Sequence, residues 1–287
     1  MKIFGKTRLP NGYRKIHLFG ITVFSYFNKR CIPNYKSDVY KFIGLQNCKK
    51  LENLIVGSSH GRDAFIPAEH DCNLANSSQD LYRMYKVYEY VAKHNGKNLK
   101  NVIVFWSIFH PGFQLEKTKE CLVSVPYKVL YGIDYACEMY PINPKIINNI
   151  EKLMANANVP NDYRGKSFYI PGSSDKTEII VAKHLKNAMR NNNQIQYLGK
   201  MVELARKNKH NIYVVLPPYR KDYLGCLPDD NTLHFELFEF LAANPDVHLI
   251  NMQHDGDFDD YDFANTDHCN ESGGQKITNK IRRLLML

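Results

Sequence analysis

A serine attacks a carbonyl only where its hydroxyl is reachable and a base stands beside it. The best-placed hydroxyl in this 287-residue chain lies in Leu54–Phe65, LIVGSSHGRDAF. There a short apolar run stops at Gly57 and is followed by Ser58, Ser59, His60 and Gly61. A buried strand that ends in a small, polar, glycine-flanked corner is either an ordinary turn, with Ser59 capping the segment after it, or the seat of a nucleophile, Ser59; His60 and Arg62 are then substrate contacts or simply border the pocket. The base is expected from the other end of the chain, where Asp267-His268 stands just before the last helical pattern. A second Gly-Ser-Ser, Gly172–Ser174, follows Pro171 and reads as a loop and helix cap instead.

These residues need elements to hold them. Five apolar runs read as strands: Asn53–Gly57, Cys72–Ala75, Asn101–Trp106, Asn211–Leu216 and Val247–Asn251. All are short and continuous rather than alternating, the pattern of strands covered on both faces. Helical patterns lie between them. One carries Leu81, Met84, Tyr88 and Val91 on one side and stops at Gly96; another carries Ile195, Leu198, Met201 and Ala205. A third ends before Pro245, and the last opens with a capping-box pair, Ser272 and Gln275, ahead of Ile277, Ile281, Leu284 and Leu285. Strand–helix alternation of this kind predicts an α/β fold with a parallel sheet and helices on both faces. Ligands in such sheets bind at the carboxyl ends of the strands, where Gly57–Gly61 falls. Residues 1–45 form a basic, aromatic appendage with a hairpin at HLFGITVFSYF. Residues 110–195 are expected to form a helical cap inserted into a catalytic domain of residues 46–287, because a structureless loop of that length does not fit a compact domain.

Composition narrows the classes. Hydrophobic content of 44% and charged content of 23% suit a soluble globular chain, and no run approaches the roughly 18 apolar residues of a membrane span. The first residues lack the apolar core and cleavage site of a secretory signal, so an intracellular, cytoplasmic protein is expected. The seven cysteines are scattered without a CxxC pair. That argues against a disulfide scaffold and a structural zinc site and fits a reducing compartment. The formal charge is +9, and residues 1–50 carry eleven Lys and Arg against one acid, Asp38. No nucleic-acid motif accompanies this charge, so nucleic acid is not expected; peripheral contact with an anionic membrane surface is. His254-Asp255-Gly256-Asp257, with Asp259 and Asp260, resembles a metal loop in composition only and reads as an exposed acidic turn. Neither a metal nor a cofactor is expected. Tyr82, Tyr85, Tyr88 and Tyr90 read as helix packing.

Gly57–Gly61 formally matches the G-x-S-x-G elbow of α/β-hydrolases, but that fold sets several strands before its nucleophile and here about one precedes it. The corner resembles that of the SGNH/GDSL hydrolases, with the Asp of Gly-Asp-Ser replaced by Ser58 and the serine following the first sheet strand. FDDYDFANTDHCNESGGQKIT resembles their closing block. Within it, Asp267, His268, Asn270 and Gly273 resemble the branch that contains bacterial polysaccharide- and cell-wall-modifying members. NLANSSQDLY, from Asn73, resembles the second block, and VVLPPYRKDY, from Val214, resembles the fourth strand and its Pro-rich loop. The resemblance covers residues 46–110 and 195–287. It implies a flavodoxin-like α/β/α sandwich with about five strands. It also implies Ser59 as nucleophile, His268 as base, and an oxyanion hole from the N–H of Ser59 and of Asn76, Ser77 or Ser78. Tyr219 and Arg220 would bind a sugar or an acid.

Three departures bear on activity. Asn265 stands where the family carries Asp, which leaves Asn265 or Asp267 to orient His268. The second block lacks its glycine. The third lacks Gly-x-Asn-Asp, and FWSIFHPG offers Ser107 or His110 in place of the oxyanion Asn. What the resemblance implies is serine-dependent acyl transfer on carbohydrate esters, as an O-acetyl esterase or an O-acyltransferase. RKIHLFGITVFSY resembles the N-terminal run of some bacterial enzymes that build capsule or lipopolysaccharide, implying a carbohydrate or glycolipid precursor as substrate at the inner membrane face. The alternative is a catalytically degenerate carbohydrate-binding or scaffold protein of the same fold, which the missing Asp and Asn favour.

Overall fold

The structure, a computed structural model, describes residues 3–8, 13–27, 33–137, 139–167 and 176–285. Pro171 and the second Gly-Ser-Ser, Gly172–Ser174, lie outside the described residues. In chain order the elements are β1 (Phe4–Arg8), β2 (Tyr13–Leu18), β3 (Ile21–Phe27), α1 (Lys36–Asn47), β4 (Asn53–Gly57), α2 (Ser59–Ala64), β5 (Asp71–Asn73), α3 (Leu81–His94) and β6 (Asn101–Phe105). There follow α4 (Val125–Tyr131), α5 (Pro144–Asn156), α6 (Thr177–Ala188), α7 (Ile195–Asn208), β7 (Asn211–Leu216), α8 (Lys221–Leu224), α9 (Asp230–Leu233), α10 (Phe235–Ala243), β8 (Val247–Asn251) and α11 (Glu271–Leu285).

The chain divides into two compact units, one of residues 1–40 and 115–158, the other of residues 41–114 and 159–287. The expected appendage and cap are cut differently: 115–158 groups with the N-terminal residues, while 159–195 groups with the parallel sheet. In the first unit β1, β2 and β3 form an antiparallel sheet in that order. Its helices α4 and α5 follow, with Ile146 and Ile150 of α5 buried. A disulfide joins Cys121 to Cys137, contrary to the expectation of reduced cysteines. The two are separated by sixteen positions, so no short-spacing pattern betrays them, and the bond removes the support that cysteine usage gave to a reducing compartment.

The second unit is built on a five-stranded sheet of order β5-β4-β6-β7-β8, every pair parallel. This is the flavodoxin-like order, with its reversal between β4 and β6, and it gives the α/β/α arrangement expected of an SGNH-type fold. Alternation divides the strands between two layers. Ile55, Ile103, Phe105, Val215 and Ile250 pack with Ala64, Phe65, Ile277 and Ile281, so α2 and α11 cover one face. Helices α3 and α7 pack on each other and on β4 and β7 respectively. Tyr82 meets Tyr197 across that pair, with ring centroids 5.1 Å apart, and Tyr88 is fully buried. Each fully buried aliphatic side chain in these layers contributes about 1.5–3 kcal/mol at most.

Polar side chains fasten the amino ends of the strands. Asn211 donates to Asn101, Asn101 to Asn53, and Asn53 to Asp71, at 3.0, 2.7 and 2.8 Å. At the carboxyl ends, Gly57 lies opposite Phe105. Its φ is +151°, and a Cβ there would stand 2.7 Å from Phe105 Cβ, so the corner after β4 requires glycine. The final helix starts two residues earlier than the capping box predicts. Asn270 Oδ1 accepts from Gly273 N–H at 3.1 Å, while the Ser272 hydroxyl donates to Asp262 instead. Among the described residues no helix is long and apolar enough to cross a membrane.

Candidate functional site

Strand β4 ends and α2 begins within two residues. Ser58 is the cap: its hydroxyl accepts from His60 N–H at 3.3 Å, and its carbonyl accepts from Gly61 and Arg62. Ser59 is thus the first residue of α2 and His60 the second. About 100° of helical turn separates their side chains. Ser59 stays half-exposed while His60 is 3% exposed. Two buried side chains hold the corner in place. Gln79 accepts from Gly57 N–H at 2.8 Å and donates to the Leu74 carbonyl. Asn73 donates to the carbonyls of Gly61 and Phe65, closing the far end of α2.

The loop before α11 returns to this corner. Asn265 Oδ1 accepts from the backbone N–H of both Asp267 and His268, at 3.1 and 2.8 Å, folding the loop back on itself. His268 Nε2 then lies 2.8 Å from Ser59 Oγ. On its other side, His268 Nδ1 is 3.1 Å from Asp267 Oδ1 and 3.2 Å from Asn265 Oδ1. With Nδ1 protonated, that nitrogen donates to both acceptors and Nε2 is left as the acceptor for the serine hydroxyl.

Behind His268 the network continues inward. Asp267 Oδ2 lies 3.1 Å from His60 Nε2, His60 Nδ1 lies 2.7 Å from Ser107 Oγ, and Ser107 Oγ lies 2.6 Å from Ser58 Oγ. Burial pushes the His60 imidazole below its ordinary value, only partly offset by Asp267. A neutral ring therefore donates from Nε2 to Asp267 and accepts at Nδ1 from Ser107. Burial alone would raise Asp267, but hydrogen bonds from His268 and His60 hold it well below the usual carboxylate range. The wall around the network is aromatic, with Tyr219 and Phe109 rings 5.4 and 6.3 Å from His60. His184, partly buried in the same wall, is pushed by desolvation down to about 3, and its Nδ1 lies 2.7 Å from the Tyr223 hydroxyl.

Of the residues singled out in the sequence, Ser59, His268, Asp267 and Asn265 come together. Several others do not meet the solvent side. His60 and His110 are buried rather than bordering the pocket; His110 Nδ1 accepts from Ser107 N–H at 2.9 Å. Ser107 is fully buried, and both its hydroxyl and its amide face the interior network, so it is not an oxyanion donor. Tyr219 is 4% exposed and belongs to the wall. Arg220 is turned to Asp222, with Nε and Nη2 at 2.8 and 2.7 Å from the two carboxylate oxygens. Arg62 pairs in the same bidentate way with Asp63, at 2.8 and 2.6 Å, and also bonds Ser77.

In the turn after β5, Asn76 N–H is taken by the Gly57 carbonyl at 2.9 Å, and Ser77 N–H by Asn76 Oδ1 at 3.2 Å. Ser78 completes that turn with φ +54°. The Ser59 amide, in the first turn of α2, is engaged by no described residue. The acidic turn near His254 is neutralised by the last helix: Lys280 pairs with Asp255 and Asp257, and Lys276 with Asp262.

Three supports had no signal in the sequence reading: Gln79, Asn73 and His184. The first two lie inside the NLANSSQDLY block, and buried amides directly after a strand are the only hint they leave. His60, Asp267 and His268 also carry ligand atoms within 4.8 Å of one another. The hydrogen bonds among them account for that closeness.

No protein-family model and no curated protein matches this chain. Among solved structures, a chain from Desulfitobacterium hafniense named for the G-D-S-L lipolytic family is similar over 82% of this chain and 99% of its own, at 11% identity and a TM-score of 0.38.

Proposed function

We propose that this chain is a serine-dependent acyl-transfer enzyme, acting on carbohydrate esters as an esterase or O-acyltransferase. The observation that carries the reading is the 2.8 Å approach of His268 Nε2 to Ser59 Oγ, with a buried carboxylate on the opposite nitrogen. In the first step Ser59 Oγ bonds to the acyl carbon and its proton passes to His268 Nε2. Asp267 stays ionised and stabilises the resulting imidazolium, as triad carboxylates do. The Ser59 amide supplies one oxyanion donor. His268 then gives the proton to the leaving alkoxide. In the second step it takes one from the acceptor hydroxyl, water in an esterase and a sugar alcohol in a transferase, whose oxygen bonds to the acyl carbon; it then returns the proton to Ser59 Oγ as the acyl–serine bond breaks.

The departure at Asn265 is made good within this scheme, since Asp267 supplies the charge and Asn265 braces the loop that aims it. The carbohydrate substrate rests on the sequence resemblance alone. The test is p-nitrophenyl acetate turnover together with fluorophosphonate labelling of the wild type, Ser59→Ala and His268→Ala. Labelling confined to Ser59, and turnover lower by about four orders of magnitude or more in both variants, is expected. A wild type that neither labels nor turns over would favour a carbohydrate-binding or scaffold role.

A further inference from the structure

The antiparallel sheet of the first unit carries an apolar end that nothing among the described residues covers. Ile3, Phe4, Leu18, Phe19, Ile21, Val23 and Phe24 are between 41% and 70% exposed. They are neighbours by register: Phe4 is opposite Leu18, Leu18 opposite Ile21, and Phe19 N–H donates to the Ile3 carbonyl at 2.9 Å. The tip is the two-residue turn Phe19-Gly20, with φ of +48° and +83°. Such turns favour Asn or Gly at the first position, where a phenylalanine is strained. A strained aromatic held out into solvent is a costly feature for a fold that gains nothing from it.

Charge then selects the occupant. The first 27 residues contain Lys2, Lys6, Arg8, Arg14 and Lys15 and no Asp or Glu. Lys6 is opposite Ile16, three residues from the turn residue Phe19, and Lys15 is opposite Thr7, one residue further back. At about 3.3 Å per residue, the apolar tip is roughly 10 Å deep before the first cationic level. That matches the roughly 5–10 Å to which interfacial segments bury their apolar face at the headgroup boundary. A second copy of the sheet would set these like charges against one another. A surface of anionic headgroups answers both the apolar tip and the cationic collar.

We infer that the β2–β3 turn is a membrane-docking tip for an anionic phospholipid surface. Phe19, Leu18, Ile21 and Phe4 enter the interface, and Lys6, Lys15 and Arg14 meet the headgroups. The inference is independent of the proposed chemistry at Ser59.

The full-length protein would be sedimented with phosphatidylcholine vesicles, with and without phosphatidylglycerol, at low and high salt. Binding only to the phosphatidylglycerol vesicles, weakened by salt, is expected. Phe19→Asn suits the turn better than the native residue, so it keeps or raises stability, and it should weaken binding by at least about tenfold. Lys6→Glu should lower it by a similar factor. p-Nitrophenyl acetate turnover, or its absence, should be the same in both variants as in the wild type. Absence of binding, equal binding to neutral vesicles, or a Phe19→Asn protein that binds as the wild type does would overturn the inference. So would a dimer in light scattering that Phe19→Asn dissolves, because the tip would then serve self-association.

Discussion

Acid should weaken this protein well before its carboxylates titrate. His110 is buried and His184 partly so, and desolvation pushes each imidazole from 6.5 down to about 3. Between those values the unfolded chain holds a proton on each ring and the folded chain does not. Folding stability is therefore complete above about pH 6.5 and falls by about 1.4 kcal/mol per group for each unit of acidification below it. From pH 7.5 to pH 5 each ring removes about 2 kcal/mol, or about 4 kcal/mol together. His60 is shifted in the same direction by its burial and adds to the loss. Asp267 acts with the same sign but later: its folded value is depressed, so its contribution is lost only as the pH falls below the ordinary carboxylate range. A loss between pH 7.5 and 5 thus belongs to the histidines. Against a typical total of about 5–15 kcal/mol, it is a large fraction.

The assay has a built-in probe. Trp106 is the only tryptophan in the chain, is 1% exposed, and lies with its ring 5.6 Å from that of His110. Its fluorescence during urea unfolding, taken at a series of pH values, reports the unit that holds the site. His110→Asn supplies the control, because an amide oxygen can still accept from Ser107 N–H, now bonded to Nδ1 at 2.9 Å, yet cannot take up a proton. Its starting stability will be lower. What matters is the slope between pH 6 and 5, which should be smaller than that of the wild type by about 1.4 kcal/mol per unit. A wild type with level stability from pH 7.5 to 5, or a variant with the full wild-type slope, would refute the reasoning.

Three substitutions probe other parts of the argument. Asp267→Asn keeps the volume but removes the charge from His268 and the acceptor of His60; p-nitrophenyl acetate turnover should fall by about 10⁴ with the far-ultraviolet dichroism unchanged. A fall of less than tenfold would mean that Asn265, 3.2 Å from Nδ1, orients the ring without help. Gly57→Ala forces a Cβ to within 2.7 Å of Phe105 Cβ at φ +151°, and an unfolding free energy lower by about 1–3 kcal/mol in urea is expected; a stable, active variant would mean the corner is not fixed by that approach. Asp80→Asn removes the carboxylate charge that lies 2.7 Å from the fully buried Arg83 guanidinium. That should destabilise by about 3–5 kcal/mol in the same assay, and a change under 1 kcal/mol would contradict it.

The sequence yields its strands because β4, β6 and β7 are apolar on both faces, and continuous apolar runs with polar ends leave little freedom in where they begin and stop. The pairing of Ser59 with His268 it yields only through the resemblance of the two blocks, and the parallel sheet, which carries every strand's carboxyl end to one edge, agrees with it. What it hides is direction. Ser59 and His60 read alike as members of a small polar corner, yet adjacent residues on a helix point about 100° apart, so one hydroxyl stays partly exposed and the neighbouring imidazole faces the core. The same limit applies to Asp267: adjacency to His268 says nothing about whether its carboxylate can reach that ring. It does so because Asn265 Oδ1 gathers the N–H groups of both residues and bends the loop. Asn265, read as a defect in the pattern, is on this geometry the residue that lets a neighbouring carboxylate take the missing position. Ser107 and His110 follow the same logic in reverse. A loop after a strand is expected to face ligand, but here its polar groups are drawn inward by His60, which needs a donor on Nδ1 once its Nε2 proton is given to Asp267. The buried histidine thus accounts for the inward turn of Ser107 and His110, whose polar groups support the ring that faces Asp267.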